Sequence, residues 1–346
     1  MKKFLLVTCI VVVLVAITVV GFLGWASRGR LSKEEYAAGF SRELPISPDA
    51  PGMSGGAPLD AKADRRFTIV TYNIGYCSGL TNNSGNNASE EEYAQNVRTI
   101  LEALRKVNPD FVAMQEVDFA SERSWYQDQS LLLAEGLGLK YQACDYTWDK
   151  DYVPWPYGTP SHNFGRMRSG QCVASRFLIR GHAKITMPKP EENPFWYNMF
   201  YLDHIIQIVE IDVASQPLVI LSVHLEAYKR KTREQEAALV AQEVKKHADQ
   251  PLILLGDFNA RPPWQTQNET TLATILAVQG LHKEFPKEAY EGGDQVRYYT
   301  SSSGRPNKSI DHVFYNDKVK CLSARVLQDA GTGSDHLPVM MEFAFN

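Results

Sequence analysis

Six short apolar runs in the sequence end in, or lie directly before, a residue with a carboxylate, amide or imidazole side chain. These residues are Asn73, Glu116, His224, Asp257 together with Asn259, Asp311, and Asp335 together with His336. A charged or strongly polar group beside a buried strand is costly unless it is paired, bound to a metal or facing a cleft. Because the pattern recurs six times, we expect the ends of these runs to meet at one edge of the fold.

The chemistry of this group points to a hard metal ion. It contains carboxylates, amides and two histidines but no cysteine, and oxygen ligands favour Mg²⁺ or Mn²⁺ over zinc. Asp257 and Asn259 are two residues apart, so in a strand their side chains point to the same face. Hydrolysis of a phosphoester needs neutralisation of charge on the phosphoryl group, a positioned water and an acid or metal at the leaving oxygen. The residues present predict this reaction.

The apolar runs that carry these residues are short and rich in Val, Ile and Phe, which is typical of buried strands. They cover residues 67–74, 111–117, 171–179, 205–213, 218–225, 252–258, 309–315 and 339–345. A capping box of Ser89 and Glu92 begins a helix that Asn108-Pro109 ends, and a second helix is predicted over residues 232–247. Many strands with few helices favour two packed sheets with helices outside over a doubly wound parallel sheet.

The N-terminus has the features of a membrane segment. Phe4 to Trp25 contains no charged residue, with Lys2 and Lys3 before it and arginines after it. Residues 1–25 are predicted to be an uncleaved signal anchor, with a cleaved signal peptide as the alternative. The chain after such an anchor normally lies outside the cytoplasm. The predicted location is therefore membrane-anchored and extracytoplasmic, or secreted if the segment is cleaved.

The rest of the chain divides into a linker and one domain. Residues 26–65 are rich in Pro and Gly and are predicted to be a linker, and residues 66–346 are predicted to be the catalytic domain. The 346 residues, 44% hydrophobic, exclude a disordered or fibrous protein. A net charge of −4 argues against binding nucleic acid by bulk electrostatics, although a nuclease with few local contacts remains compatible. Four cysteines outside the apolar segment allow free thiols or up to two disulfides.

Five segments together resemble the signature blocks of the endonuclease/exonuclease/phosphatase superfamily. They are Thr71-Tyr72-Asn73, Met114-Gln115-Glu116, Gly256-Asp257-Phe258-Asn259, Ser309-Ile310-Asp311-His312 and Gly333-Ser334-Asp335-His336-Leu337-Pro338. The superfamily includes deoxyribonuclease-I-like nucleases, AP endonucleases, neutral sphingomyelinases and inositol-polyphosphate 5-phosphatases. The resemblance spans residues 67–346 with the blocks in family order. It implies an α+β fold, a four-layer αββα sandwich of two mixed sheets flanked by helices, following the N-terminal transmembrane helix.

The resemblance also implies metal-dependent phosphoester hydrolysis with a defined set of metal ligands. Glu116 corresponds to the principal metal ligand, and Asn73 and Asp335 lie beside it. The cofactor implied is Mg²⁺ or Mn²⁺.

The remaining matched residues have catalytic roles in the family. By resemblance, Asp257 orients or deprotonates the attacking water and Asn259 contacts the phosphate. His336 binds or protonates a phosphoryl oxygen, and Asp311 holds its tautomer, because a carboxylate on one ring nitrogen raises the basicity of the other. His224 matches the second histidine of the nuclease and sphingomyelinase branches, but the sequence shows no counterpart of its usual acidic partner. The other histidines, His204 among them, are interpreted as surface or core residues.

The substrate is less clearly indicated. Residues 145–162 are rich in aromatic residues and proline, a composition that suits base stacking, a lipid interface or an ordinary packed loop. The predicted function is a phosphodiesterase of nuclease type that acts outside the cytoplasm. The alternatives are a phospholipid hydrolase, similar to sphingomyelinases or phosphoinositide phosphatases, and a catalytically inactive binding module. Nucleic acid or a phospholipid is the expected partner, the membrane is contacted through the N-terminal helix, and no obligate protein partner is indicated.

Overall fold

The computed structural model describes residues 1–46, 66–82, 84, 87–159, 162–266, 268–291 and 294–346. The strands in these residues are β1 (Phe40–Glu43), β2 (Phe67–Asn73), β3 (Phe111–Asp118), β4 (Tyr141–Thr159), β5 (His162–Ser175), β6 (Leu178–Thr186), β7 (Ile205–Val213), β8 (Gln216–His224), β9 (Leu252–Asp257), β10 (Leu281–Lys283), β11 (Asp311–Asn316), β12 (Val319–Val326) and β13 (Val339–Phe345). The α-helices are α1 (Lys2–Ala26), α2 (Lys33–Ala38), α3 (Glu90–Arg105), α4 (Gln129–Leu137), α5 (Phe195–Asn198), α6 (Arg230–Lys246) and α7 (Thr271–Leu276).

The strands form two mixed sheets packed face to face, which confirms the predicted fold class. The first sheet has the order β1-β4-β5-β3-β2-β13-β12 and the second β10-β11-β9-β8-β7-β6. One apolar core lies between the sheets and extends to α3 and α4, which cover the outer face of the first sheet. A second core packs α6 and α7 against the outer face of the second sheet. The result is a four-layer αββα sandwich.

The two long helices of the domain, α3 and α6, follow from local sequence signals. Ser89 and Glu92 make both hydrogen bonds of the capping box at the start of α3, and the predicted apolar residues Ile100 and Leu104 are fully buried. Helix α6 begins two residues before its predicted start, and Ala237 and Val240 are fully buried against the second sheet. Apolar residues at helical spacing bury one stripe of each helix, and this burial joins the helix to the sheet beneath it.

Two parallel strand pairs bring the predicted site residues to one edge of the sandwich. β2 and β3 are parallel neighbours in the first sheet, and β8 and β9 are parallel neighbours in the second. His224 pairs with Asp257 at the ends of β8 and β9, and Asp311, at the start of the antiparallel strand β11, also pairs with Asp257. Because parallel strands end on the same side of a sheet, their terminal side chains converge.

Part of the predicted linker is folded instead. Ser32 caps α2 with a complete capping box, and β1 pairs antiparallel with β4 at the edge of the first sheet. The ring of Phe40 packs against Phe119 and Tyr146. An edge strand has unpaired backbone groups, and β1 satisfies those of β4. The remainder of the predicted linker, residues 47–65, lies outside the described residues.

Several strand boundaries also differ from prediction. The aromatic segment 145–162 is not an insertion loop, because its described part belongs to a long antiparallel hairpin of β4 and β5. The single run predicted over residues 171–179 is two strands, since the chain leaves the first sheet after Ser175 and enters the second at Leu178. There the Ser175 hydroxyl accepts a hydrogen bond from the Phe177 amide at 2.9 Å. A continuous apolar run does not reveal such a change of sheet.

Two features bear on the cellular environment of the chain. In the part that the structure describes, α1 has the length and mean hydropathy, 3.1, of a membrane span, and its apolar window is not buried in the protein. Such a helix is typical of a membrane anchor or of a signal sequence. Cys144 and Cys172, which face each other across β4 and β5, form a disulfide, whereas Cys77 and Cys321 are free thiols.

Candidate active site

Asp257 lies at the centre of the polar cluster. Its side chain is 1% exposed at the end of β9. One carboxylate oxygen accepts the backbone amide of Asn259 at 2.8 Å, and the other accepts the side-chain amide of Asn73 at 3.0 Å. The Nε2 atoms of His224 and His336 lie 3.6 Å and 3.8 Å from that second oxygen. A carboxylate buried in this way keeps one defined orientation, which a general base requires.

Glu116 and Asp335 form the acidic side of the cluster. The side-chain amide nitrogen of Asn82 donates to Glu116 at 2.8 Å and to Asp335 at 3.1 Å, so the two carboxylates lie side by side. Asn73 donates to Glu116 at 3.1 Å. Glu116 reaches this position because a register shift in β3 gives it a φ of +53°. Left-handed backbone at a non-glycine residue is strained, and such strain is concentrated at functional sites.

The chemistry of this donor set fits a divalent cation. Among the described residues, no Lys or Arg forms an ion pair with Glu116 or Asp335, and the nearest basic group in the ion pairs of these residues is Nε2 of His224, 3.8 Å from Glu116. The Oδ1 atom of Asn82, which lies beside them, is buried without a hydrogen-bond partner. Paired carboxylates with an unsatisfied amide oxygen are ligands of the kind that Mg²⁺ binds. The oxygen of Asn73 is occupied by the backbone amide of Gly75 at 3.0 Å, so Asn73 presents its nitrogen to the carboxylates.

Gly75 allows these groups to approach one another. Its φ is +52°, and a Cβ atom at this position would lie 2.8 Å from Asp335 Oδ1 and 3.0 Å from the Ser334 hydroxyl. That hydroxyl donates to the carbonyl of Asn73 at 2.7 Å and thereby joins the loop before β13 to the end of β2. A side chain here would push Asp335 away from Glu116.

His336 and Asp311 form a buried pair. Nδ1 of His336 lies 2.9 Å from Asp311 Oδ2, and the two side chains are 8% and 1% exposed. Burial acts to lower the pKa of His336, but the carboxylates of Asp311 and Asp257 outweigh it and raise the pKa well above the ordinary value. One oxygen or nitrogen from each of these three residues also lies within 4.8 Å of the others, a spacing compatible with a metal ion. Because Nδ1 of His336 is already bonded to Asp311, the geometry is that of a histidine oriented by a carboxylate.

The last two predicted residues, His224 and Asn259, join the same network. Nε2 of His224 lies between Asp257 and Glu116, 3.8 Å from the latter. Asn259 has a φ of +49°, and its side-chain amide donates to the carbonyl of Leu225 at 2.9 Å. The structure thus brings all eight residues of the sequence prediction into one cluster.

A cleft of about 610 Å³ opens from this cluster and has two different walls. The acidic wall carries Glu116, Asp257 and Asp335. The apolar wall carries Trp148 and Phe164 of the β4–β5 hairpin, which pack with Leu202 in a small apolar cluster that is separate from both main cores. Lys308 is the single lysine that lines the cleft in the described part of the chain. Such a cleft suits a substrate with one phosphoryl group and an apolar or aromatic portion.

His204 is a cleft residue that the sequence interpretation missed. Its Nδ1 lies 2.8 Å from Glu236 and 3.8 Å from Glu226, and its ring centre is 5.9 Å from that of His224. Burial lowers its pKa, but the two glutamates outweigh burial and raise the pKa above the ordinary value. Asn82 was also missed. Both positions are set by long-range contacts, and neither lies in a recognisable motif.

The raised pKa of His204 predicts a pH-dependent contribution to stability. The charged pair with Glu236 contributes fully below the ordinary histidine pKa of 6.5, and the contribution is lost as the pH rises through the higher folded-state value. We expect His204→Gln to lower the free energy of unfolding by about 1–3 kcal/mol near pH 6 and by less at alkaline pH. Thermal unfolding of the full chain in detergent across this range measures the difference.

The matched control for this prediction is His282→Gln. His282 pairs with Asp317 at 2.6 Å, but the two side chains are 50% and 73% exposed. An exposed pair contributes about 1 kcal/mol or less. A loss at His204 that is the same at every pH, or no larger than that at His282, would contradict the prediction.

Comparison with known proteins identifies the family. A model of the endonuclease/exonuclease/phosphatase family matches residues 70–336, so the chain belongs to this family. Its members are phosphoester hydrolases, nucleases and phosphatases among them, and this chain is a phosphoester hydrolase. No curated protein matches the sequence.

Solved structures share the fold. A family protein from Beutenbergia cavernae has a TM-score of 0.60 at 20% identity, covering 82% of this chain and 72% of its own. A Bacteroides thetaiotaomicron mannosyl-6-phosphatase has a TM-score of 0.54 at 18% identity, with 81% and 100% coverage. TDP2 from D. rerio, complexed with a single-strand DNA product, has a TM-score of 0.54 at 16% identity, with 81% and 100% coverage. At these identities the likeness establishes the fold alone.

Proposed function

We propose that this protein is a divalent-metal-dependent phosphodiesterase that acts outside the cytoplasm. The observation that carries the proposal is the position of Asp257, buried between two histidines and beside two adjacent carboxylates that have no Lys or Arg partner in the described parts of the chain. In the proposed assignment, Glu116 and Asp335 hold Mg²⁺ or Mn²⁺, with Asn73 and Asn82 holding these carboxylates in place. A bound cation neutralises charge on the phosphoryl group and on the leaving oxygen.

The side chains of the cluster divide the proton transfers between them. A water molecule attacks phosphorus, and Asp257 accepts its proton as the new phosphorus–oxygen bond forms. The bond from phosphorus to the ester oxygen breaks, and that oxygen leaves with a proton supplied by a histidine. Asp311 and Asp257 raise the pKa of His336 and so favour its protonated form, in which it binds a phosphoryl oxygen or donates that proton, and Asn259 contacts the phosphate. His224, 3.6 Å from Asp257, is the second candidate donor.

The pairing of β1 with β4 and the disulfide of the β4–β5 hairpin support the domain and location assignments. We assign residues 66–346, extended by the packed segment of α2 and β1, to the catalytic domain and α1 to the membrane anchor. The disulfide between Cys144 and Cys172 is the kind of bond that persists in oxidising compartments, which supports an extracytoplasmic domain.

The substrate class has two candidates. The nuclease type predicted from the sequence gains support from TDP2, whose structure contains single-strand DNA. The charge of the cleft argues against a long polyanion such as nucleic acid. A single lysine lines the cleft in the described residues, whereas nucleic-acid sites usually carry several basic residues. The membrane helix and the apolar wall favour the phospholipid alternative. All eight predicted site residues are present in the sequence, which disfavours the inactive binding module.

Metal dependence is the direct test of the proposed function. The full chain in detergent should hydrolyse bis-p-nitrophenyl phosphate with Mg²⁺ or Mn²⁺, and EDTA should lower the rate by about tenfold or more, because the cation supplies several kcal/mol of charge stabilisation. Re-addition of Mg²⁺ restores the rate, which serves as the control. Full activity after chelation would reject the metal mechanism.

Variants distinguish the two possible positions of the cation. If Glu116 and Asp335 hold it, Asp335→Asn should raise the Mg²⁺ concentration for half-maximal rate by about tenfold or more, as expected for removal of one charged ligand. Asp311→Asn should lower the rate without such a shift. The opposite result would place the ion between Asp257, Asp311 and His336.

A further inference from the structure

The segment between the membrane helix and the domain is firmly attached to the β4–β5 hairpin. We call residues 27–31 the strap. The carbonyl of Ser27 accepts Nζ of Lys150 at 2.9 Å, and the carbonyl of Arg28 accepts the backbone amide of Asp151 at 2.7 Å. These carbonyls follow the end of α1 and would otherwise lack partners. The catalytic domain thus binds the backbone directly after the membrane helix.

A buried aspartate holds the other half of the strap. Oδ2 of Asp149 accepts the backbone amides of Arg30 at 2.6 Å and Leu31 at 2.8 Å, and its Oδ1 pairs with Arg166 at 2.5 Å. Asp149 and Arg166 are each 5% exposed. Gly29 has no room for a side chain, because a Cβ atom would lie 2.9 Å from the Asp149 carbonyl and closer still to its carboxylate. A charge-assisted network of this kind leaves the strap little freedom.

Aromatic residues mark the level of the membrane interface. The ring of Tyr152 stacks on Trp25 at 6.2 Å and meets Phe22 edge-on at 6.1 Å. A 25-residue helix is about 37 Å long, which exceeds the roughly 30 Å of hydrocarbon that it crosses, so its last turn reaches the interface. Trp and Tyr are enriched at that level.

The same hairpin forms the wall of the catalytic cleft. Trp148 lines the cleft, the adjacent Asp149 holds the strap, and Tyr152 contacts the membrane helix. Four residues of strand span about 13 Å at most, so the cleft wall lies that close to the interface. A lipid headgroup layer is about 5–8 Å thick. A phosphoester in that layer therefore lies near the cleft.

From these contacts we infer that the strap fixes the catalytic cleft against the surface of the membrane in which α1 lies, an arrangement that we call the mount. In this position the enzyme acts on phosphoesters carried by lipid headgroups of that membrane. The inference rests on the proposed phosphoester hydrolysis and adds its partner, a lipid bilayer. A flexible tether would let the cleft face in any direction, whereas the mount presents it to the bilayer. The bonds that fix it come from the β4–β5 hairpin and do not involve the residues assigned to hydrolysis.

The test compares a lipid substrate with a soluble one. The full chain is reconstituted in vesicles of phosphatidylcholine, phosphatidylglycerol and sphingomyelin, and headgroup release is followed by mass spectrometry. Bis-p-nitrophenyl phosphate is the soluble substrate. We expect Gly29→Val, which displaces the strap from Asp149, to lower headgroup release by about fivefold or more through lost orientation, with the soluble rate within about twofold of wild type.

Gly21→Val is the matched control, because a Cβ atom at Gly21 has no neighbour within 4 Å. It should change neither rate. A second variant inserts about ten Gly and Ser residues between Ala26 and Ser27, which leaves the strap seated but separates it from α1 by about 17 Å on average. This insertion should reproduce the effect of Gly29→Val.

The outcomes separate the mount from the proposed function. Unchanged headgroup release in both Gly29→Val and the insertion would overturn the mount. Hydrolysis of single-stranded DNA with no headgroup release would overturn the lipid assignment in favour of nucleic acid, while the proposed function would stand. Absence of hydrolysis of every substrate, the soluble one included, would reject the proposed function itself.

Discussion

Replacement of Asp257 with asparagine is expected to lower phosphodiester hydrolysis by about 10²- to 10⁴-fold, the usual contribution of a positioned general base. The amide keeps an oxygen that accepts the backbone amide of Asn259, but it has no basicity toward the attacking water. It also places an NH₂ group or a weaker acceptor opposite Asn73. Steady-state rates with bis-p-nitrophenyl phosphate at saturating Mg²⁺ measure the loss.

Stability measurements show whether that loss is chemical. Removing the charge of Asp257 relieves its repulsion with Asp311 but also weakens its attraction to His336, so the two effects oppose each other and the melting temperature should change little. The control is Asp317→Asn, because Asp317 pairs only with the exposed His282 in the described contacts of its side chain. Wild-type rates in a folded Asp257→Asn variant would refute the assignment of Asp257 as the base.

His336→Ala is expected to lower the rate by about 10²-fold or more, because it removes the ring that we propose binds a phosphoryl oxygen or protonates the leaving group. The substitution also leaves a buried space beside Asp311, whose Oδ2 loses its 2.9 Å partner. Added imidazole fits such a space. Rate recovery with imidazole would show that the ring itself is used, which a purely structural role does not predict.

Two further variants define what His336 contributes. His312 is fully buried and contacts Glu284 and the carbonyl of Ala260, outside the cleft lining, so His312→Gln should affect stability with little change in rate per folded molecule. Asp311→Asn should lower the rate less than His336→Ala, because it alters the orientation and charge of the ring without removing it. A His336→Ala variant that is as active as wild type would remove this histidine from the mechanism.

The residues proposed for hydrolysis and the residues that hold the strap form two separate groups. The eight predicted residues lie where two pairs of parallel strands end, while the strap is held by Asp149, Lys150 and Asp151 on the outer part of β4. Effects of substitutions in groups that share no partner usually add. In a double variant, Gly29→Val with Asp257→Asn, the rate with the soluble substrate should therefore fall by the same factor as in Asp257→Asn alone.

Much of this protein follows from its sequence, because the signals concerned are local. Alternation and runs of apolar residues indicate strands, and Ser89 with Glu92 marks the start of α3, since both depend on neighbours within one turn or one strand. The residue types at the strand ends, together with their order, also determine the family and the chemistry. Uncharged residues before Trp25 indicate the membrane helix without reference to any other part of the chain.

The tertiary structure alone decides how these parts meet. The register shift that turns Glu116 toward Asp335, the pairing of Cys144 with Cys172, and the placement of Asn82 between two carboxylates all join residues far apart in the chain. The same is true of His204 and of the strap, which looks like a linker in composition but is bonded to β4. Contacts of this kind depend on how sheets pack and on which edges remain unpaired, and neither property is encoded in any short segment.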